Sequence, residues 1–150
     1  MIVLSDLDYK KMGVSSIPIF LYTEYINLQF NNYLKKNYKD ITPGSFMYLI
    51  NIFYHQSISQ RELAELLFVS ESSVAQIIKK LEKDELITRT PDEKNKSRKI
   101  LSLTEKGKII LFNILKDSYE WQGKFFENYS KEDVEKFKSM IYDYSQKSIN

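Results

Sequence analysis

Two helix-start signals stand only eleven residues apart in this chain. Ser59 with Glu62 forms a capping box, and Ile58 and Leu63 flank it as a hydrophobic staple. Ser70, followed by Glu71-Ser72-Ser73 and flanked by Val69 and Val74, repeats the signal. The run SQRELAELLFVSESSVAQIIKKLEKDELI, residues 59–87, therefore predicts two helices that meet at a tight turn around Phe68-Val69. On the second helix Val74, Ile77, Ile78 and Leu81 share one face at helical spacing, which turns Ser72, Ser73, Gln76, Lys79, Lys80 and Lys83 outward.

A helix-turn-helix buries its first helix and one face of its second, and projects the second into the DNA major groove. The outward side chains here suit that task. Small hydroxyls permit close approach, Gln76 offers a donor and an acceptor to a base edge, and lysines meet phosphates. The bland alternative is the solvated face of an ordinary amphipathic helix. The segment that follows argues against it. Leu86–Arg89 and Lys99–Leu103 read as two β-rich stretches separated by the polar TPDEKNKSR, which predicts a hairpin with a long, charged, flexible tip. From Arg89 to Lys99 five basic residues, Arg89, Lys94, Lys96, Arg98 and Lys99, stand against Asp92 and Glu93. The whole chain has a net charge of only +2, so its basic excess is concentrated in this hairpin. Basic side chains beside a helix-turn-helix suit a wing that follows the phosphate backbone or enters the minor groove.

Elsewhere only three prolines and four glycines interrupt 150 residues, which predicts a mainly helical chain. Ile17, Leu21, Tyr25 and Leu28 mark a first helix from about Ser16 into Lys36. Thr42-Pro43 reads as an N-cap and first helical position, opening a helix through about His55. After the start signal Ser130…Asp133, the stripe Val134, Phe137, Met140, Ile141 and Tyr144 predicts an amphipathic last helix. Both terminal stripes need cover that a small central module cannot readily supply, so pairing with a second copy is expected.

The order helix, capped helix, polar-faced helix, charged hairpin, then LTEKG opening a further helix resembles the MarR (multiple antibiotic resistance regulator) family of winged helix-turn-helix transcription factors. The likeness covers nearly the whole chain and is most specific over Ser59–Gly107. It implies one mainly α domain over 1–150 with a small antiparallel β-wing. Within it, a DNA-binding lobe occupies 40–104, and dimerisation helices occupy 1–39 and 105–150. It also implies a homodimer on a pseudo-palindromic operator in double-stranded DNA, and a regulator, expected to be a repressor. Carried over, Ser59, Gln60, Arg61, Ser70, Ser72, Ser73, Gln76, Lys79 and Lys80 become candidate groove and phosphate contacts, with Arg89, Lys94, Lys96 and Arg98 in the wing. One departure stands out. The family wing usually carries Asp-x-Arg before its second strand, where this chain has Asn95, Lys96 and Ser97, with the arginine displaced to Arg98. The departure implies either a looser wing or a different use of Lys96 and Arg98. The resemblance further implies a pocket for a phenolic or lipophilic effector, with Phe20, Phe46, Phe53, Tyr54, Phe112 and Tyr119 as candidate lining, alongside Tyr48 and Trp121.

Other functions find little support. There is no P-loop, dinucleotide-binding glycine pattern, nucleophile elbow or H-E-x-x-H, so no enzyme activity is expected. The absence of cysteine removes thiol chemistry and disulfides, and a single histidine, His55, leaves no transition-metal set, so neither a metal nor a cofactor is expected. No apolar run approaches the roughly 20 residues of a membrane span. The start MIVLSDLDYKK lacks the pattern of a signal peptide, which makes a cytoplasmic protein the expectation. The rival from another class is a winged-helix protein-interaction module without duplex affinity.

Overall fold

The computed structural model describes residues 16–147. The stretch 1–15 of the expected N-terminal dimerisation segment lies outside them. Among the described residues the elements run α1 (Ile19–Asn37), α2 (Pro43–Tyr54), α3 (Gln60–Leu66), α4 (Glu71–Lys83), β1 (Ile87–Pro91), β2 (Lys99–Leu103), α5 (Glu105–Phe126) and α6 (Lys131–Ser145). The mainly helical class with one small antiparallel sheet is as expected from the sequence. None of these helices is long and apolar enough to cross a membrane.

The described residues contact one another as two compact units that divide between Lys108 and Ile109. In the first, α2 packs against α1, α3 and β2, while α4 packs against α3 and β1. Leu34, Leu49, Leu63, Val74, Ile78, Leu81, Leu86, Ile87 and Leu101 fill this core, each at most 2% exposed. Among the described residues no buried side-chain nitrogen or oxygen lacks a hydrogen-bond partner. In the second unit Ser130 caps α6, accepting from the Asp133 N–H at 3.0 Å. Phe126 meets Phe137 edge to face there, with ring centres 5.8 Å apart.

Several boundaries depart from the sequence reading for local reasons. The first helix opens at Ile19 rather than Ser16, because Pro18 stands in an extended conformation (φ −59°, ψ 139°) and disfavours a helical residue before it. Ile17 is buried, but ahead of the helix. Thr42 occupies the N-cap of α2 with Pro43 inside it, yet its hydroxyl pairs with the buried Ser45 hydroxyl at 2.5 Å instead of capping a backbone N–H. β1 runs two residues beyond Arg89, through Thr90 and Pro91, which pair with Ile100 and Lys99. Proline is tolerated at this edge, where it need donate no ladder bond. The hairpin tip, expected to be flexible, is tied by turns. Asp92 Oδ1 accepts from the Lys94 N–H, Asn95 Oδ1 from the Ser97 N–H, and the Asp92 N–H donates to the Arg98 carbonyl. A third extended segment joins the hairpin, with Ser59 bridged to Ile100 and the Leu101 N–H bonded to the Ile58 carbonyl at 2.9 Å.

The LTEKG segment ties the first turn of α5 to the end of α4. Thr104 Oγ1 donates to the Glu85 carbonyl at 2.7 Å and accepts from the Gly107 N–H at 3.0 Å, and Lys106 Nζ donates to the Asp84 carbonyl at 2.8 Å. Gly107 is required by this approach, because a Cβ there would stand 2.1 Å from the Leu86 carbonyl oxygen. Gly107→Ala should therefore destabilise by about 3 kcal/mol, the upper range for overpacking. Gly123→Ala, where a Cβ meets nothing within 4 Å, should instead stabilise by about 0.5–1 kcal/mol, because glycine is a poor helix former. Thermal unfolding of the two variants should show opposite signs.

Candidate nucleic-acid interface

The candidate interface is built on a helix whose inner face is sealed. Val74, Ile78 and Leu81 on α4 are fully buried and Ile77 is half-buried, so Ser72, Ser73, Gln76, Lys79, Lys80 and Lys83 stand exposed on the opposite side. Burying one such aliphatic side chain contributes about 1.5–3 kcal/mol. An exposed ion pair contributes at most about 1 kcal/mol. Packing therefore decides which face α4 presents, and surface charges only adjust it.

Both helices of the motif begin and end by local chemistry. Ser59 Oγ accepts from the Glu62 N–H at 3.3 Å, and Glu62 Oε2 accepts from the Ser59 N–H at 2.7 Å, completing the capping box. Ser70 Oγ accepts from the Ser73 N–H at 3.2 Å and lies 3.0 and 2.8 Å from the Ser72 and Ser73 hydroxyls. The ends use a left-handed residue without glycine: Phe68 at φ 54° after α3 and Glu85 at φ 59° after α4. At each end a six-to-one bond follows, Val69 N–H to Ala64 carbonyl and Leu86 N–H to Leu81 carbonyl, with the inner Phe68–Glu65 and Glu85–Glu82 bonds beside it. That motif makes the turn between α3 and α4 tight. It also leaves the Phe68 side chain almost fully exposed.

The basic side chains divide by their partners. Among the described residues Lys79, Lys94 and Lys96 are exposed and make no ion pair. Lys80 Nζ reaches Asp84 at 2.7 Å, and Arg61 pairs with Glu65 at 3.1 Å on the open surface. Gln60 is half-buried in the first turn of α3. Arg89 on β1 forms a two-pronged pair with Glu82 on α4, Nε to Oε1 at 2.8 Å and Nη2 to Oε2 at 2.5 Å. Arg98 binds Asp92 and Glu62, each at 2.6 Å. The sequence marks Glu62 only as a capping residue and marks no partner for Asp92 or Glu82. Arg89 lies on β1, beyond the helix that holds Glu82, and Arg98 is thirty-six residues from Glu62, so neither pair joins neighbours on one helix.

Between the start of α3 and the wing lies an open cleft of about 710 Å³, lined among others by Ser59, Arg61, Glu71, Arg89, Asn95 and Lys99. Of the candidate effector residues, Phe20, Phe46, Phe53 and Tyr54 belong to the first unit, and Phe112 and Tyr119 to the second. Phe46 is buried edge to face against Phe30, with ring centres at 5.2 Å, and Phe53 packs on Tyr54 at 5.4 Å. Phe20, Tyr54, Phe112 and Tyr119 are exposed. Among the described residues no cluster of His, Cys, Asp or Glu could hold a metal ion.

The Glu62 carboxyl is held at about 2, well below its ordinary value, first by the Ser59 N–H and then by the Arg98 and Ser59 side chains. Its ionised form therefore stabilises the folded chain at neutral pH, and that contribution disappears as pH falls from about 4.5 through about 2. Thermal unfolding against pH should show Glu62→Gln less stable than wild type at pH 7, with the two curves converging as pH approaches 2. A constant gap at all pH values would contradict this.

The chain is similar to known proteins both in sequence and in fold. The MarR family profile matches residues 41–99, from just before α2 to the first residue of β2. An HTH-type transcriptional regulator of Bacillus cereus is 32% identical over 127 residues, which span 85% of this chain and 81% of the relative. The crystal structure of MarR superposes with a TM-score of 0.76 at 24% identity, over 87% of this chain and 90% of the other. FabT of Streptococcus pneumoniae, solved in complex with DNA, superposes with a TM-score of 0.71 at 18% identity, over 93% and 96%. The two superpositions speak to the fold, and the B. cereus relative extends the kinship along most of the chain. With its helix-turn-helix, wing and LTEKG anchor in this order, the chain belongs to the MarR family of helix-turn-helix transcriptional regulators.

Proposed function

We propose that this protein is a homodimeric transcriptional regulator that binds a pseudo-palindromic site in double-stranded DNA and represses until a phenolic or lipophilic effector releases it. The exposed polar face of α4, mounted on fully buried Val74, Ile78 and Leu81, carries this reading. Gln76 and the Ser72 and Ser73 hydroxyls read base edges, while Lys79 and Lys80 meet flanking phosphates. Ser59, Gln60, Arg61 and Ser70, at the two helix starts, lie toward the backbone. Lys94 and Lys96 at the wing tip supply sequence-independent attraction. The existence of FabT in complex with DNA supports the use of this fold on a duplex.

Exposed apolar side chains support the dimer. α1 presents Ile19, Phe20, Leu21, Ile26 and Leu28, and α6 presents Phe137, Met140, Ile141 and Tyr144. Such surface is costly to leave in water, and a two-fold partner covers it while placing two recognition helices about 34–36 Å apart, one turn of the duplex. An effector that prefers a spacing misfitted to successive grooves releases DNA by population shift. The exposed aromatics Phe20, Tyr54, Phe112 and Tyr119 give it apolar surface to bind.

Selection from random-sequence duplexes, with the solution mass measured alongside, tests the reading. An enriched inverted repeat and a dimeric mass are expected. No enrichment and no salt-sensitive binding would favour a protein-interaction module instead. On the selected site Gln76→Ala should shift base preference at one position per half-site, a discrimination of about 1–3 kcal/mol. Lys96→Ala should weaken all duplexes alike and flatten the salt slope by about 0.9 for each phosphate the lysine had neutralised.

A further inference from the structure

Three oxygens from separate parts of the chain converge on one guanidinium. Arg98 Nη1 donates to Asp92 Oδ2, and Nη2 donates to both Glu62 Oε2 and the Ser57 carbonyl, all at 2.6 Å. Both N–H groups of Nη2 are thereby used, one on the first turn of α3 and one on the segment before it. The Glu62 oxygen that receives Arg98 also receives the Ser59 N–H. Arg98 and Asp92 are well covered, with side chains 28% and 16% exposed. Arg98 is also where the wing closes, since its N–H bonds the Asn95 carbonyl and its carbonyl accepts from the Asp92 N–H. The clasp therefore ties the base of the wing to the start of the helix-turn-helix. Lys94 and Lys96 at the tip remain exposed and without an ion pair among the described residues.

We propose that Arg98 is a positioning residue for DNA binding: with Glu62 and Asp92 it locks the wing onto α3, so that Lys94 and Lys96, rather than Arg98, meet the phosphates. To reach a phosphate itself, the guanidinium would have to leave two carboxylates and a carbonyl that its planar fork already satisfies. This inference rests on the DNA-binding reading above.

Two substitutions separate positioning from contact. Glu62→Gln keeps the capping box, which glutamine also serves, and removes a negative charge near the duplex. That charge change alone favours binding to a polyanion, so weaker binding would report a displaced wing. Arg98→Lys keeps the positive charge a phosphate needs but not the fork that spans three acceptors. In the full-length protein each substitution should weaken duplex binding by about tenfold, and the double variant should be no weaker than Arg98→Lys alone. Amide exchange across 92–98 should be faster in both free proteins. Glu62→Gln binding as tightly as wild type or tighter, Arg98→Lys binding like wild type, or unchanged exchange in the wing would each overturn the clasp while leaving DNA binding intact. Wild type failing to bind duplex in the same titration would overturn the DNA-binding reading and the role of the clasp with it.

Discussion

Burial of Val74, Ile78 and Leu81 is the constraint from which the rest of the lobe follows. Once those three side chains are sealed against the core, α4 can present only its serines, Gln76 and lysines to solvent. The fully buried Leu63 on α3, and Leu86 and Ile87 just after α4, fix the helix at both ends. The tight turn at Phe68 leaves α4 little freedom to tilt. A polar helix held this rigidly suits recognition of a surface with fixed geometry, because little ordering cost remains to be met on binding.

Charge enters at a second level and acts mostly within the chain. Arg89 to Glu82 ties β1 to α4, and Arg98 to Glu62 and Asp92 ties the wing base to α3. Both wing arginines are thus occupied by carboxylates, while the wing-tip lysines are not. The two kinds of cation suit these positions. A guanidinium fork spans fixed acceptors, whereas a lysine on a long stem follows a phosphate backbone as a mobile point charge. The displaced arginine that distinguishes this wing from the usual family pattern sits at the centre of the larger of these two networks.

Local chemistry is readable from the sequence, and long-range pairing is not. Ser59, Ser70 and Ser130 announce their helices because a cap involves neighbours three residues apart, and each caps as expected. The α4 face is readable because helical spacing alone assigns it. The turn at Phe68-Val69 is readable from the two caps around it, but the left-handed conformation of Phe68 and Glu85 is not, because neither residue is glycine, the usual signal for it. The bond from Leu101 to Ile58 and the clasp from Arg98 to Glu62 join segments about forty residues apart, and one sequence contains no sign of such partners. Gly107 can be read as part of LTEKG, but its reason, the Leu86 carbonyl beside it, appears only in three dimensions.

The most direct test is the crystal structure of the full-length protein on the duplex it selects. There α4 should lie in the major groove with the Gln76 amide within about 3 Å of a base edge. Lys94 and Lys96 should stand at phosphates, with Arg98 still bound to Glu62 and Asp92. An α4 facing away from the groove would contradict the assignment of the recognition surface. An Arg98 on a phosphate with both carboxylates released would contradict the division between arginines that hold the wing and lysines that touch DNA.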